Sequence, residues 1–136
     1  MDRLFLDANI LFSAAYRRDA GVQRLWSLKG CVLLTSDYAI EEARRNLSSA
    51  EQRERLAELL RTTKTVHAVS LDPEVRGNVE LREKDWPILG GAIAAGATHL
   101  ITGDRRDFGA FFGTVLFGVK ILPPSLYLAS KEDSAF

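Results

Sequence analysis

The sequence predicts an α/β domain built on short parallel strands, and three observations carry that reading. Apolar strand-like runs alternate with helix-like runs along the whole chain, with no internal repeat, low-complexity block or Gly/Ser linker between them. The strand-like runs are separated by enough residues for a helical crossover, the connection that parallel strands require. Two of these runs, Leu4-Phe5-Leu6-Asp7 and His99-Leu100-Ile101-Thr102-Gly103-Asp104, stop on an aspartate. Short apolar runs ending at a turn read as buried strands, and in open α/β sheets the ligand site lies beyond the strands' carboxyl ends.

Taken in order, strands are expected at Arg3 to Leu6, Val32 to Thr35, Thr65 to Val69, Thr98 to Ile101 and Lys120 to Leu122, five in all. A helix over Asn9 to Ala15 follows the first strand, with Asp7 placed to cap it. The run from Tyr38 to Leu47 is helical after the second strand. Ser48-Ser49-Ala50-Glu51 has the spacing of a capping box, and Arg53, Leu56, Leu59 and Leu60 then place one apolar stripe on the helix it starts. Asp72-Pro73-Glu74 reads as a cap followed by proline at the first helical position. Between Asp85 and Gly96, Ile88, Leu89, Ala92, Ile93 and Ala95 describe a helix that Gly90 and Gly91 allow to approach the sheet closely.

At 136 residues and 46% hydrophobic, the chain suits one domain over residues 1–136, with a short tail from about residue 129. No apolar stretch is long enough for a bilayer and Met1-Asp2-Arg3 lacks a secretory signal's features, so a cytoplasmic protein with no membrane partner is expected. The lone Cys31, at the head of an apolar run, reads as a buried structural thiol. Basic and acidic residues balance at 18 each, so attraction for phosphates has to be local.

Two carboxylates held close raise each other's pKa, and a cluster that stays ionised needs a cation. Asp7, Asp85 and Asp104 each have an alternative role as helix caps, and Asp107 would also favour the helix dipole at the third position after Asp104. Glu42 lies within a residue of the buried stripe if Tyr38, Ala43 and Leu47 face inward, whereas Glu41 points more outward; periodicity leaves the choice between them open. Three helix starts and two strand ends converging on carboxylates are more specific than any one of them. Hard divalent cations prefer such oxygen ligands, and His67 and His99 stand outside any Cys/His spacing, which disfavours zinc.

These residues together resemble the PIN-domain family of metal-dependent nucleases, whose best-known members are the VapC-like toxins of toxin–antitoxin pairs. The matching pieces are Leu6-Asp7-Ala8-Asn9-Ile10-Leu11, Glu42 with Leu47 five residues on, and Asp85-Trp86-Pro87-Ile88-Leu89 with Ala92 and Ala95-Gly96-Ala97. Leu100-Ile101-Thr102-Gly103-Asp104 with Asp107-Phe108, and the ending Ile121-Leu122-Pro123-Pro124-Ser125, complete the likeness over nearly the whole chain. It departs at Ala8, where many relatives carry threonine.

The resemblance implies a three-layer α/β/α sandwich with a five-stranded parallel sheet of order 3-2-1-4-5, setting Asp7 and Asp104 on adjacent strands at the topological switch point. It also implies an RNA-hydrolysing enzyme in which Asp7, Glu42, Asp85, Asp104 and Asp107 hold one or two Mg²⁺ or Mn²⁺ ions, roughly 4 Å apart if two. Asn9 and Thr102 would orient the ligands, and Arg105 or Arg106 would contact RNA. An antitoxin protein and a second copy of the chain are the expected partners, with Leu11, Phe12, Tyr16, Leu25 and Trp26 as candidates for an apolar surface. Two rivals stand beside this reading. A non-catalytic module of the same fold would bind RNA or protein without cutting. An aspartyl-phosphate enzyme would need a second aspartate where this chain has Asn9.

Overall fold

A computed structural model describes residues 1–133. Six strands form one sheet: β1 (Asp2–Leu6), β2 (Cys31–Ser36), β3 (Lys64–Val66), β4 (His99–Ile101), β5 (Val115–Leu116) and β6 (Val119–Leu122). Their order is β3-β2-β1-β4-β6-β5, with every pair parallel except β5 with β6. The five expected strands are therefore present in the expected order, the third ending at Val66 rather than Val69, and the sequence reading missed one edge strand. Leu116 and Val119 pair across Phe117 and Gly118, whose φ values of 52° and 83° are those of a two-residue hairpin turn. A two-residue strand is too short to show a period, which is why it escaped notice.

Leu4, Phe5 and Leu6 are all fully buried, as expected of a central parallel strand covered on both faces. The covering helices are α1 (Ala8–Tyr16), α2 (Asp37–Asn46), α3 (Ala50–Leu60), α4 (Trp86–Ala94), the short α5 (Arg105–Phe108) and α6 (Pro124–Asp133). Crossovers from β1 to β2 to β3 run one way along the sheet and those from β3 to β4 to β6 run the other. Because such crossovers are right-handed, the two sets put helices on opposite faces. The direction reverses between β1 and β4, where Leu6 is in register with Ile101 and the amide of Asp7 donates to the Ile101 carbonyl at 3.1 Å.

Local chemistry corrects several expectations. The capping box of α3 starts at Ser49 with Gln52, one residue later than expected, because Gln52 accepts from the Ser49 amide as Ser49 accepts from its own. Asp72-Pro73-Glu74 opens only a 3-10 turn, Pro73–Val75, with no side-chain cap. Cys31 is half-buried rather than buried. Of the candidate apolar surface, Leu11 and Leu25 are fully buried, Phe12 and Trp26 half-buried, and Tyr16 is exposed. Residues 129–133 belong to α6 rather than to a tail, and 134–136 lie outside the described residues.

Of the α4 glycines, Gly91 serves the expected approach to the sheet, whereas Gly90 meets the segment that follows β3. A Cβ on Gly90 would stand 1.8 Å from the Val69 carbonyl oxygen, and one on Gly91 would stand 3.1 Å from the Phe5 ring. The connection before α4 is pinned by Arg76, whose Nε donates to the Leu71 carbonyl at 2.8 Å. Its guanidinium pairs with Glu83 at 2.8 Å and lies 4.4 Å from the centre of the Trp86 ring. These contacts hold the 3-10 turn Glu83–Asp85 at the start of α4.

Candidate metal centre

Beyond the carboxyl ends of β1 and β4 lies a cavity of about 510 Å³. Its walls include Asp7, Asn9, Glu42, Asp85 and Asp104, contributed by four separate segments of chain. Asp7 is 5% exposed. Its Oδ1 accepts from the Ala8 amide at 2.7 Å, and its Oδ2 accepts from the Thr102 hydroxyl at 2.7 Å and the Asn9 amide at 3.2 Å. Capping therefore accounts for one oxygen of Asp7 and not the other. Asn9 also receives the Gly103 amide at 2.8 Å, and Thr102 the Asp104 amide at 3.1 Å, so one small network ties the ends of β1 and β4 together. Asn9 and Thr102, the two residues expected beside the acidic ligands, thus both contact the Asp7 carboxylate.

Asp104 caps α5, its Oδ1 accepting from the Asp107 amide at 3.0 Å. Asp85 differs, because it makes no capping bond although it precedes α4. It is 4% exposed and its Oδ2 is buried without a hydrogen-bond partner. Carboxylate oxygens of Asp85, Asp104 and Asp107 all lie within 4.8 Å of one another. Ionised, Asp85 has no donor for that oxygen; protonated, it can donate to Asp107.

The electrostatics follow from this crowding. Burial, opposed by the hydrogen bonds of Thr102 and Ala8 and reinforced by the charges of Glu42 and Asp104, pushes the Asp7 carboxyl up to about 6. Burial, with the shared proton and charge of Asp107, pushes Asp85 up to about 7. The same hydrogen bond, helped by Arg82 and Lys84, holds Asp107 below the usual carboxylate range. Arg82 Nε stands 3.2 Å from one Asp107 oxygen and Lys84 Nζ 3.7 Å from the other.

Glu42 reaches the cavity from α2, whose capping residue Ser36 ends β2 and whose Ala39 and Ala43 face the core. Glu41 is exposed and pairs with Arg44 at 3.6 Å, so the glutamate facing the other acids is Glu42. Arg105 and Arg106 are exposed on α5 and neither lines the cavity. The cavity's cation is Lys84, which the sequence reading passed over as the neighbour of Asp85. Asn46, one turn beyond Glu42, was missed in the same way, and Phe12, expected on an apolar docking surface, lines the cavity. The signal for Asn46 was present only as helical spacing from a residue already singled out.

A buried Asp85 oxygen without a donor, on a carboxyl that burial and the neighbouring Asp107 drive toward protonation, grouped with the carboxylates of Asp104 and Asp107, is the donor chemistry a hard divalent cation satisfies. The site fits such an ion.

No protein-family model matches the chain. No curated protein matches it either. Solved structures do: VapBC2 from Rickettsia felis, bound to a DNA fragment from its promoter, superposes at a TM-score of 0.65 with 15% identity, covering 89% of this chain and 98% of the other. VapC20 of Mycobacterium tuberculosis, a sarcin-ricin loop cleaving toxin, superposes at 0.56 with 17% identity, covering 82% and 98%. Nearly the whole length of each neighbour is matched by a mostly parallel sheet flanked by helices, and the chain has the PIN fold of the VapC proteins.

Proposed function

We propose that this protein is a divalent-metal-dependent ribonuclease that hydrolyses RNA phosphodiesters, acting as the toxin of a toxin–antitoxin pair. The observation that carries the reading is the orphaned, buried oxygen of Asp85 within reach of Asp104 and Asp107, at the switch point where this fold places ligands. The fold neighbour VapC20 is a toxin that cleaves the sarcin-ricin loop, which supports RNA as the substrate class. VapBC2 supports a small antitoxin protein as partner.

Asp85, Asp104 and Asp107, with Asp7 and Glu42 directly or through water, would hold one or two Mg²⁺ or Mn²⁺ ions. The metal, when bound, supplies activation of water at neutral pH and polarisation of the phosphodiester. Asp7 is held in one orientation by Ala8, Thr102 and Asn9, so its ligand oxygen needs no reorganisation. Glu42 stands half-exposed on the cavity wall, where its carboxylate can take up the proton that water loses. No serine, threonine, cysteine or histidine side chain lines the cavity among the described residues, so water is the nucleophile the site offers. One water is consumed for each P–O bond broken. No helix among the described residues is long and apolar enough to cross a membrane.

The test is cleavage of single-stranded RNA by purified protein with Mn²⁺, comparing wild type with Asp104→Asn. Activity should fall about 100-fold or more as a ligand is lost. Full cleavage by Asp104→Asn, or cleavage of equal rate in EDTA, would refute the assignment.

A further inference from the structure

Lys84 is the one basic side chain lining the cavity among the described residues. It and Arg82 approach opposite oxygens of Asp107 from a single 3-10 turn. The turn is fixed from α2, where the Tyr38 hydroxyl donates to the Lys84 carbonyl at 2.9 Å. The Lys84 side chain is 49% exposed and its pairing distance is a loose 3.7 Å, so the ion pair itself adds little stability. A charge so placed acts on two ligands with opposite sign. It competes with a divalent cation for the Asp107 carboxylate, and it attracts an anionic phosphodiester.

Resting on the ribonuclease reading above, we infer that Lys84 is the phosphate-binding residue of this site, giving up Asp107 to a divalent cation as its ammonium goes to a phosphate oxygen of the RNA. The flexible four-carbon stem and compact charge of lysine suit such a shift, whereas the planar fork of Arg82, closer to Asp107 at 3.2 Å, keeps its contact and positions that carboxylate. The assignment moves phosphate recognition from α5, where Arg105 and Arg106 are exposed and do not line the cavity, to the turn that carries Asp85.

The experiment compares wild type, Lys84→Gln, Lys84→Arg and, as a control on a remote exposed cation, Arg61→Gln. Two binding readouts are taken: Mn²⁺ affinity by calorimetric titration, and affinity for a short single-stranded RNA in Ca²⁺ across a salt series. Lys84→Gln should bind Mn²⁺ about threefold to tenfold more tightly, having lost a like charge. It should bind RNA more weakly, with the slope of log affinity against log salt reduced by about 0.7, the value for one phosphate contact on a single strand. Lys84→Arg should restore the slope and Arg61→Gln should change neither. The opposed signs are what a purely structural lysine would not produce. An unchanged salt slope or weaker Mn²⁺ binding in a folded Lys84→Gln protein would overturn the inference while leaving the ribonuclease reading intact. Wild-type protein that binds neither Mn²⁺ nor RNA would overturn both.

Discussion

Replacing Asp85 by asparagine should make the metal-free protein more stable while removing its response to metal. In the folded chain the Asp85 carboxyl is raised from 3.8 to about 7, so ionising it there is costly. At about 1.4 kcal/mol per pH unit, the ceiling on that cost is about 4 kcal/mol. Asp107 shares the proton and Lys84 stands nearby, so the gain from a neutral side chain is expected at about 1–3 kcal/mol, or roughly 3–12 °C in Tm for a domain of this size. The sign with pH follows from the raised value. Below 3.8 the group is protonated whether folded or unfolded and costs nothing; as pH rises toward 7 the wild type loses stability, and above 7 the loss is complete. Asp7, raised to about 6, adds to the same trend over a narrower window. Thermal unfolding in EDTA should therefore show Asp85→Asn and wild type converging near pH 4 and separating by pH 8. Saturating Mn²⁺ at pH 8 should then stabilise the wild type by about 3 kcal/mol at a hundredfold excess over Kd, and the variant far less. A variant less stable than wild type in EDTA at pH 8, or one with an undiminished Mn²⁺ shift, would refute the argument that Asp85 is an uncompensated buried carboxylate awaiting a cation.

Two further substitutions test the supports around the site. Thr102→Val keeps the side chain's shape but removes the hydroxyl that bonds Asp7 at 2.7 Å and receives the Asp104 amide, so Mn²⁺ affinity should fall about 10–100-fold in a titration; an unchanged affinity would show that the network does not orient the ligands. Gly90→Ala places a methyl where the Val69 carbonyl oxygen lies at 1.8 Å, and the forced backbone shift should cost about 2–3 kcal/mol, read as a lower urea midpoint; a shift below about 0.5 kcal/mol would show that the Val69 segment yields freely.

The rivals weighed at the outset separate on the same site. A non-catalytic module of this fold could hold the same ion at the Asp85 oxygen, so Mn²⁺ binding without RNA cleavage would favour it over the nuclease. The aspartyl-phosphate alternative requires an acid at position 9, and Asn9 is instead engaged with Asp7 and the Gly103 amide.

By itself the sequence determined the five parallel strands, the carboxylates at the ends of β1 and β4, and the glycine face of α4, because apolar periodicity, turn residues and small side chains act over a few neighbouring positions. It left the edge strand Val115–Leu116 hidden, since two residues carry no period, and it placed the α3 cap one residue early, since adjacent serines are locally equivalent. Only the tertiary structure decided which acids face one another: Glu42 over Glu41 depends on how α2 rests on α1, and the orphaned oxygen of Asp85 depends on α5 arriving from twenty residues away. Lys84 became part of the site in the same way. Charge repulsion and desolvation depend on distances through space, which spacing along a chain does not contain.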